Sequence, residues 1–142
     1  MSDSSRPLAS AGANERRLLQ LTVALACIVP LAAGAAGILR GPEMLRGVGS
    51  DVPADLDSHF RYLSGLLFAI GLGFATCILG IERKTARFRL LAFLVFVGGL
   101  GRLCSLISIG MPGGGHVFGL AMELVAVPLL VLWQARVAGR PE

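Results

Sequence analysis

Two apolar runs joined by a glycine turn, LLAFLVFVGGLGRLCSLISI (Leu90–Ile109), GMPGGGH (Gly110–His116) and VFGLAMELVAVPLLVLW (Val117–Trp133), decide the fold of this chain. A run of about 20 apolar residues is the length a helix needs to cross the hydrocarbon core of a bilayer. The turn between the two is too short for anything but a hairpin, since Pro112 and three consecutive glycines stop a helix. Trp133 closes the last run, where an indole favours the membrane boundary.

Working toward the N-terminus, two more runs of the same kind appear at about Leu18–Leu39 and Phe60–Ile81. The expected architecture is therefore all-α: an integral membrane four-helix bundle with spans at about 18–39, 60–81, 90–109 and 117–133. A flexible polar tail over residues 1–17 precedes the spans and a short tail over 135–142 follows them. With 142 residues, 54% apolar and 15% charged, the chain has too little polar surface to cover a water-soluble domain. Pro30, with Gly34 and Gly37 after it, is expected to kink or loosen the first span. A cleavable signal peptide is the rival reading of that segment, because Arg16 and Arg17 precede it and Ala32–Ala36 offers small residues. Its 22-residue apolar stretch is long for a signal core and sufficient to span. Arg40–Ser58 reads as a polar loop with a short surface helix around Glu43–Val48, and Asp57 or Ser58 as the cap of the second span.

The net charge of +4 does not point to nucleic acid, because the basic residues lie in short segments between apolar runs. The N-terminal tail, the second connection and the C-terminal tail hold nine of the Lys and Arg residues, while the first and third connections hold only Arg40 and Arg46. That imbalance predicts both termini on the cytoplasmic side. Cys27, Cys77 and Cys104 lie in apolar runs without metal or disulfide spacing, and read as small core or lipid-facing residues.

Charges inside the spans carry the functional reading, since each costs about 2.5–3.5 kcal/mol to insert. Arg102 and Glu123 lie roughly 10 Å below the outer boundary, at about 1.5 Å per residue, on the two helices of the hairpin. They have opposite sign and matching depth, so a buried ion pair is expected. Gly98, Gly101 and Ser105 share a helical face with Arg102, and Gly119 and Ala126 one with Glu123, which predicts that both charges point inward among small residues. Gly65, Ala69, Gly73 and Cys77 form a second expected packing stripe. With Asp57, His59, Arg61 and Ser64, the pair makes up a polar cluster in the outer half, either structural or able to hold a headgroup, a quinone-like ring or an ion. The dull readings are a cap for Asp57 and interfacial snorkelling for His59 and Arg61. Asp57 and His59 are too few for a metal, with His116 on the glycine turn a weak third ligand. No residue pattern names a cofactor.

Leu56-Asp57-Ser58-His59-Phe60-Arg61-Tyr62-Leu63-Ser64-Gly65, Gly99-Leu100-Gly101-Arg102-Leu103, Glu123-Leu124-Val125-Ala126-Val127-Pro128 and Trp133-Gln134 resemble the small bacterial membrane family known as domain of unknown function 4345. The resemblance runs from Leu18 to Gln134, and its most specific element is the run from Asp57 to Gly65. It implies four helices, and no assigned activity or catalytic residues; the expected location is a membrane, the bacterial cytoplasmic one. In helix count alone the chain is also similar to DoxX-like proteins, which warrants nothing about function. Three classes stay open: a non-enzymatic accessory or scaffold subunit, with a membrane-protein partner or second copies of itself; a binder of a lipid, quinone or other amphiphile; and a membrane enzyme or redox component.

Overall fold

The computed structural model describes residues 6–139, which form helices and turns and no strand. Four helices in it are long and apolar enough to cross a membrane. Helix α1, Arg6–Arg40, is followed by a 3-10 turn at Gly41–Met44. Helices α2 and α3 are Ala54–Ile78 and Thr85–Ile109, and α4 is continuous over Gly114–Ala138. The apolar runs are thus the centres of longer helices. Every boundary moves outward except two: α2 ends earlier than expected, and α3 ends at Ile109 as expected.

Each shift has a local cause. The expected tail over residues 1–17 is helical from Arg6, and residues 1–5 lie outside the described residues. Helix α1 also continues through Pro30, which removes one internal N–H donor without ending the helix. Helix α2 starts at Ala54, so Asp57 lies in its first turn rather than at its cap, and Asp55 and Asp57 both place negative charge at the positive end of the helix dipole. It ends at Ile78 because Gly80 adopts φ +75, a conformation that favours glycine. Helix α3 closes on Gly110 at φ +109, whose N–H reaches the Leu106 carbonyl at 3.1 Å. Helix α4 begins within the glycine run and extends to Ala138. The tail beyond it falls largely outside the described residues.

One irregularity stands out in α4. Met122–Ala126 forms a π turn, in which the Val127 N–H reaches back five residues to the Met122 carbonyl. Pro128 explains it, since proline offers no N–H to the Leu124 carbonyl and its ring crowds that oxygen, which favours a wider turn just before it.

The chain divides into two compact units, Ala24–Thr76 and the combination of Met1–Val23 with Cys77–Glu142. In the first, α1 and α2 touch through glycines of both helices: Gly34 and Gly37 of α1, and Gly71 of α2, where a Cβ would come within 3.1 Å of Leu31 Cδ2. A Cβ on Gly34 would come within 2.7 Å of the Phe68 backbone nitrogen, and one on Gly37 would collide with Ser64. Gly65, the first residue of the expected stripe, takes no part in this contact, since a Cβ there meets nothing within 4 Å, whereas Cys77 at its other end is buried. In the second unit Leu19, Val23, Cys77, Ile81, Phe88, Ala92, Gln134 and Val137 are buried. Elsewhere large apolar side chains are exposed, among them Leu39 at 79% and Ile109 at 87%, a surface suited to lipid rather than water.

Candidate functional site

The Arg102 guanidinium on α3 and the Glu123 carboxylate on α4 meet inside the second unit. Arg102 Nε donates to Glu123 Oε1 at 3.0 Å, and the two side chains are 39% and 16% exposed. The contact is single-pronged: Glu123 Oε2 is buried with no hydrogen-bond partner among the described residues. Glu123 sits in the π turn, so the proline that widens α4 also sets the angle at which the carboxylate leaves the helix.

What lets the two helices come close is Gly99. A Cβ there would fall 2.7 Å from Leu124 Cδ2 and 2.9 Å from Glu123 Cβ. Gly98, Gly101 and Ser105, expected to line the contact, are exposed, and a Cβ on either of those glycines meets nothing within 4 Å. Of the small residues expected on the α4 side, Gly119 does lie beside the pair, where a Cβ would stand 3.9 Å from Arg102 Cζ.

Asp57, His59, Arg61 and Ser64 belong to the other unit, within which Asp57, Arg61 and Ser64 make hydrogen bonds. Arg61 Nε donates to Asp57 Oδ2 at 2.8 Å, one helical turn back, and Arg61 Nη1 donates to the Ile38 carbonyl near the end of α1. A helix leaves its last four carbonyls without internal donors, and Arg61 supplies one together with positive charge at the negative end of the dipole. The backbone closes over this arrangement at Gly41, with φ +68, where a Cβ would lie 2.6 Å from Asp57 Oδ1 and 2.7 Å from Arg61 Nη2. Ser64 Oγ donates to the Phe60 carbonyl at 2.7 Å and so spends its hydroxyl on its own helix. His59 is exposed. Within this unit Arg61, held by Asp57, fastens the end of α1 to the start of α2.

Two glutamines matter that the charge pattern does not reveal. Gln134 is 0% exposed, and its Nε2 donates to the Ile81 carbonyl at 2.9 Å and to Thr85 Oγ1 at 2.8 Å, while its Oε1 has no partner among the described residues. Gln20 Nε2 donates to the Ile78 carbonyl at 2.8 Å. Both amides serve carbonyls around the turn that links α2 to α3. Gln20 is one of only two polar side chains in Leu18–Leu39, which is the signal that could have singled it out. Nearby in sequence, Arg16 and Arg83 each approach Glu82 Oε1 at 3.9 Å, and Arg136 Nε lies 3.2 Å from Glu15 Oε1.

Among the described residues no group of three or more His, Cys, Asp or Glu side chains could hold a metal ion. Cys27 and Cys77 are buried and Cys104 is exposed, and none of the three is in a disulfide. Residues 18–134 match the family model described as Domain of unknown function (DUF4345). No curated protein and no solved structure matches the chain.

Proposed function

We propose, for a chain that belongs to the DUF4345 family, a non-enzymatic role as an accessory or scaffold subunit that docks another transmembrane helix against α3. The protein sits in a membrane, taken to be a bacterial cytoplasmic one, with both termini inside. The observation that carries this reading is the outward face of α3. Gly98, Gly101, Ser105 and Ser108 recur at helical spacing and are all exposed, and no side chain lies near the two glycines. In lipid, helices associate through small residues that let backbones approach, because there is no hydrophobic gain in leaving hydrocarbon. Each glycine also costs its helix about 1 kcal/mol relative to alanine, a cost without return if lipid alone covers that face.

The test is the company the protein keeps in mild detergent. Gly101→Leu is expected to remove a co-purifying membrane protein, or to convert an oligomer of this chain to monomer, while leaving helix content unchanged. If the wild type is already alone and monomeric, or Gly101→Leu keeps every partner, the scaffold role fails.

A second reading, an amphiphile binder, is favoured by the state of the Arg102–Glu123 pair. The carboxylate engages only Nε, so the two outer nitrogens of a guanidinium that is 39% exposed stay available for the polar end of a quinone or lipid. Glu123→Gln, which preserves shape, is expected to weaken retention of such a molecule.

A further inference from the structure

Beside the Asp57–Arg61 clasp, at the end of α1 remote from the N-terminus, an open groove of about 450 Å³ is lined by Leu39, Arg40, Glu43, Met44 and Arg61. Its volume lies within the range of small-molecule sites, about 300–1,000 Å³. Two arginines and one glutamate line it, with two apolar residues as the remaining wall. We propose that this groove binds the headgroup of a zwitterionic aminophospholipid, phosphatidylethanolamine, with the phosphate on Arg40 and Arg61 and the ammonium on Glu43.

Three features of the groove support that occupant. The first is charge. A phosphate diester calls for cationic N–H donors, and Arg40 and Arg61 both line the groove. An ammonium group a few bonds away calls for an acceptor, and Glu43 is exposed on the same turn, near enough to Arg61 for their charges to attract. The second is preorganisation: Arg61 is fixed through Nε by Asp57 and through Nη1 by the Ile38 carbonyl, so its positive charge is already held beside the groove and little side-chain freedom is lost on binding. The third is depth. The groove begins where the uncharged stretch Leu18–Leu39 gives way to Arg40 and the 3-10 turn, the level at which a spanning helix leaves hydrocarbon for headgroups. Leu39, 79% exposed, then continues the groove toward acyl chains.

The same chemistry sets the selectivity. Phosphatidylcholine offers no N–H to Glu43, and phosphatidylglycerol brings a negative charge with no ammonium to meet it. The site uses none of the α3 face, so it stands or falls separately from the docking role.

The full chain, reconstituted with equal amounts of the three phospholipids and stripped stepwise with detergent, reports its retained lipid by native mass spectrometry. The wild type is expected to keep phosphatidylethanolamine over the other two. Arg40→Gln is expected to lower that retention about fivefold, the usual worth of one cation at a membrane surface. Glu43→Gln should abolish the preference and raise retention of phosphatidylglycerol. Both side chains are exposed, so helix content by circular dichroism should not change; if either variant unfolds, the wild-type profile alone decides. Equal retention of the three lipids by the wild type, or the same profile in both folded variants, overturns the proposal. Inorganic phosphate is expected to leave the retained lipid in place, and its displacement by phosphate alone would show a site for a free anion instead.

Discussion

Glu123 has one carboxylate oxygen bonded to Arg102 and another that is buried with no partner among the described residues, an unequal arrangement that makes the pair a sensitive point. Charge attraction in a sequestered ion pair is largely offset by the cost of removing both groups from water, so the intact pair adds little net stability. Removing one partner is different, because the other is left buried and charged. Arg102→Met alone is expected to cost about 3 kcal/mol, the low end of the range for such losses because the arginine stays partly exposed. The double variant Arg102→Met/Glu123→Leu should recover most of that loss. Thermal unfolding of the two singles and the double in one detergent measures the coupling, and additive losses would mean that the pair is not linked. The pairing can be read from the chain because depth and sign are simple functions of position along two helices. The orphaned oxygen cannot, since it depends on the angle that the π turn imposes.

Helix contacts are less legible than helices. Periodicity identifies which residues share a face but not which face turns inward, and small residues suit an internal contact and an external one equally well. Sharing a face with Arg102 therefore points Gly98 and Gly101 to the inside, whereas Gly99, one position away, is the glycine that meets Leu124 and Glu123. In the same way the α1–α2 contact rests on Gly34, Gly37 and Gly71, and Gly65, which periodicity singles out, takes no part in it. Alanine substitution separates the two kinds of glycine. Gly34→Ala puts a methyl group against the Phe68 backbone and should lower stability by about 2 kcal/mol, typical of overpacking. Gly98→Ala meets open space and should be neutral or stabilising by up to about 1 kcal/mol, the helix preference of alanine over glycine. Melting temperatures of the two variants test the assignment directly, and equal losses would refute it. Gln20 and Gln134 are hard to see in the sequence for a related reason: an uncharged amide leaves no mark on a count of charges, yet it can satisfy a carbonyl that the turn leaves open.

Four helices are long and apolar enough to cross a membrane and carry exposed leucine, isoleucine and phenylalanine, and their length and apolar character follow from run length and composition alone. Orientation rests on the nine-to-two distribution of basic residues, and it can be tested with single cysteines in a chain whose three natural cysteines are replaced. In intact cells Val48→Cys should react with a membrane-impermeant maleimide, whereas Ala86→Cys should react only after permeabilisation; the reverse pattern would invert the topology. The amide of Gln134 adds a matter of timing to this picture. A ribosome releases Ile81 53 residues before Gln134, which at about 5–20 residues per second leaves that carbonyl waiting roughly 3–10 s for its donor. During that interval the turn between α2 and α3 is held by temporary solvation, so the last helix to be synthesised completes a connection made earlier, and chains cut short before Gln134 should present an unfinished turn to the machinery that removes failed membrane proteins.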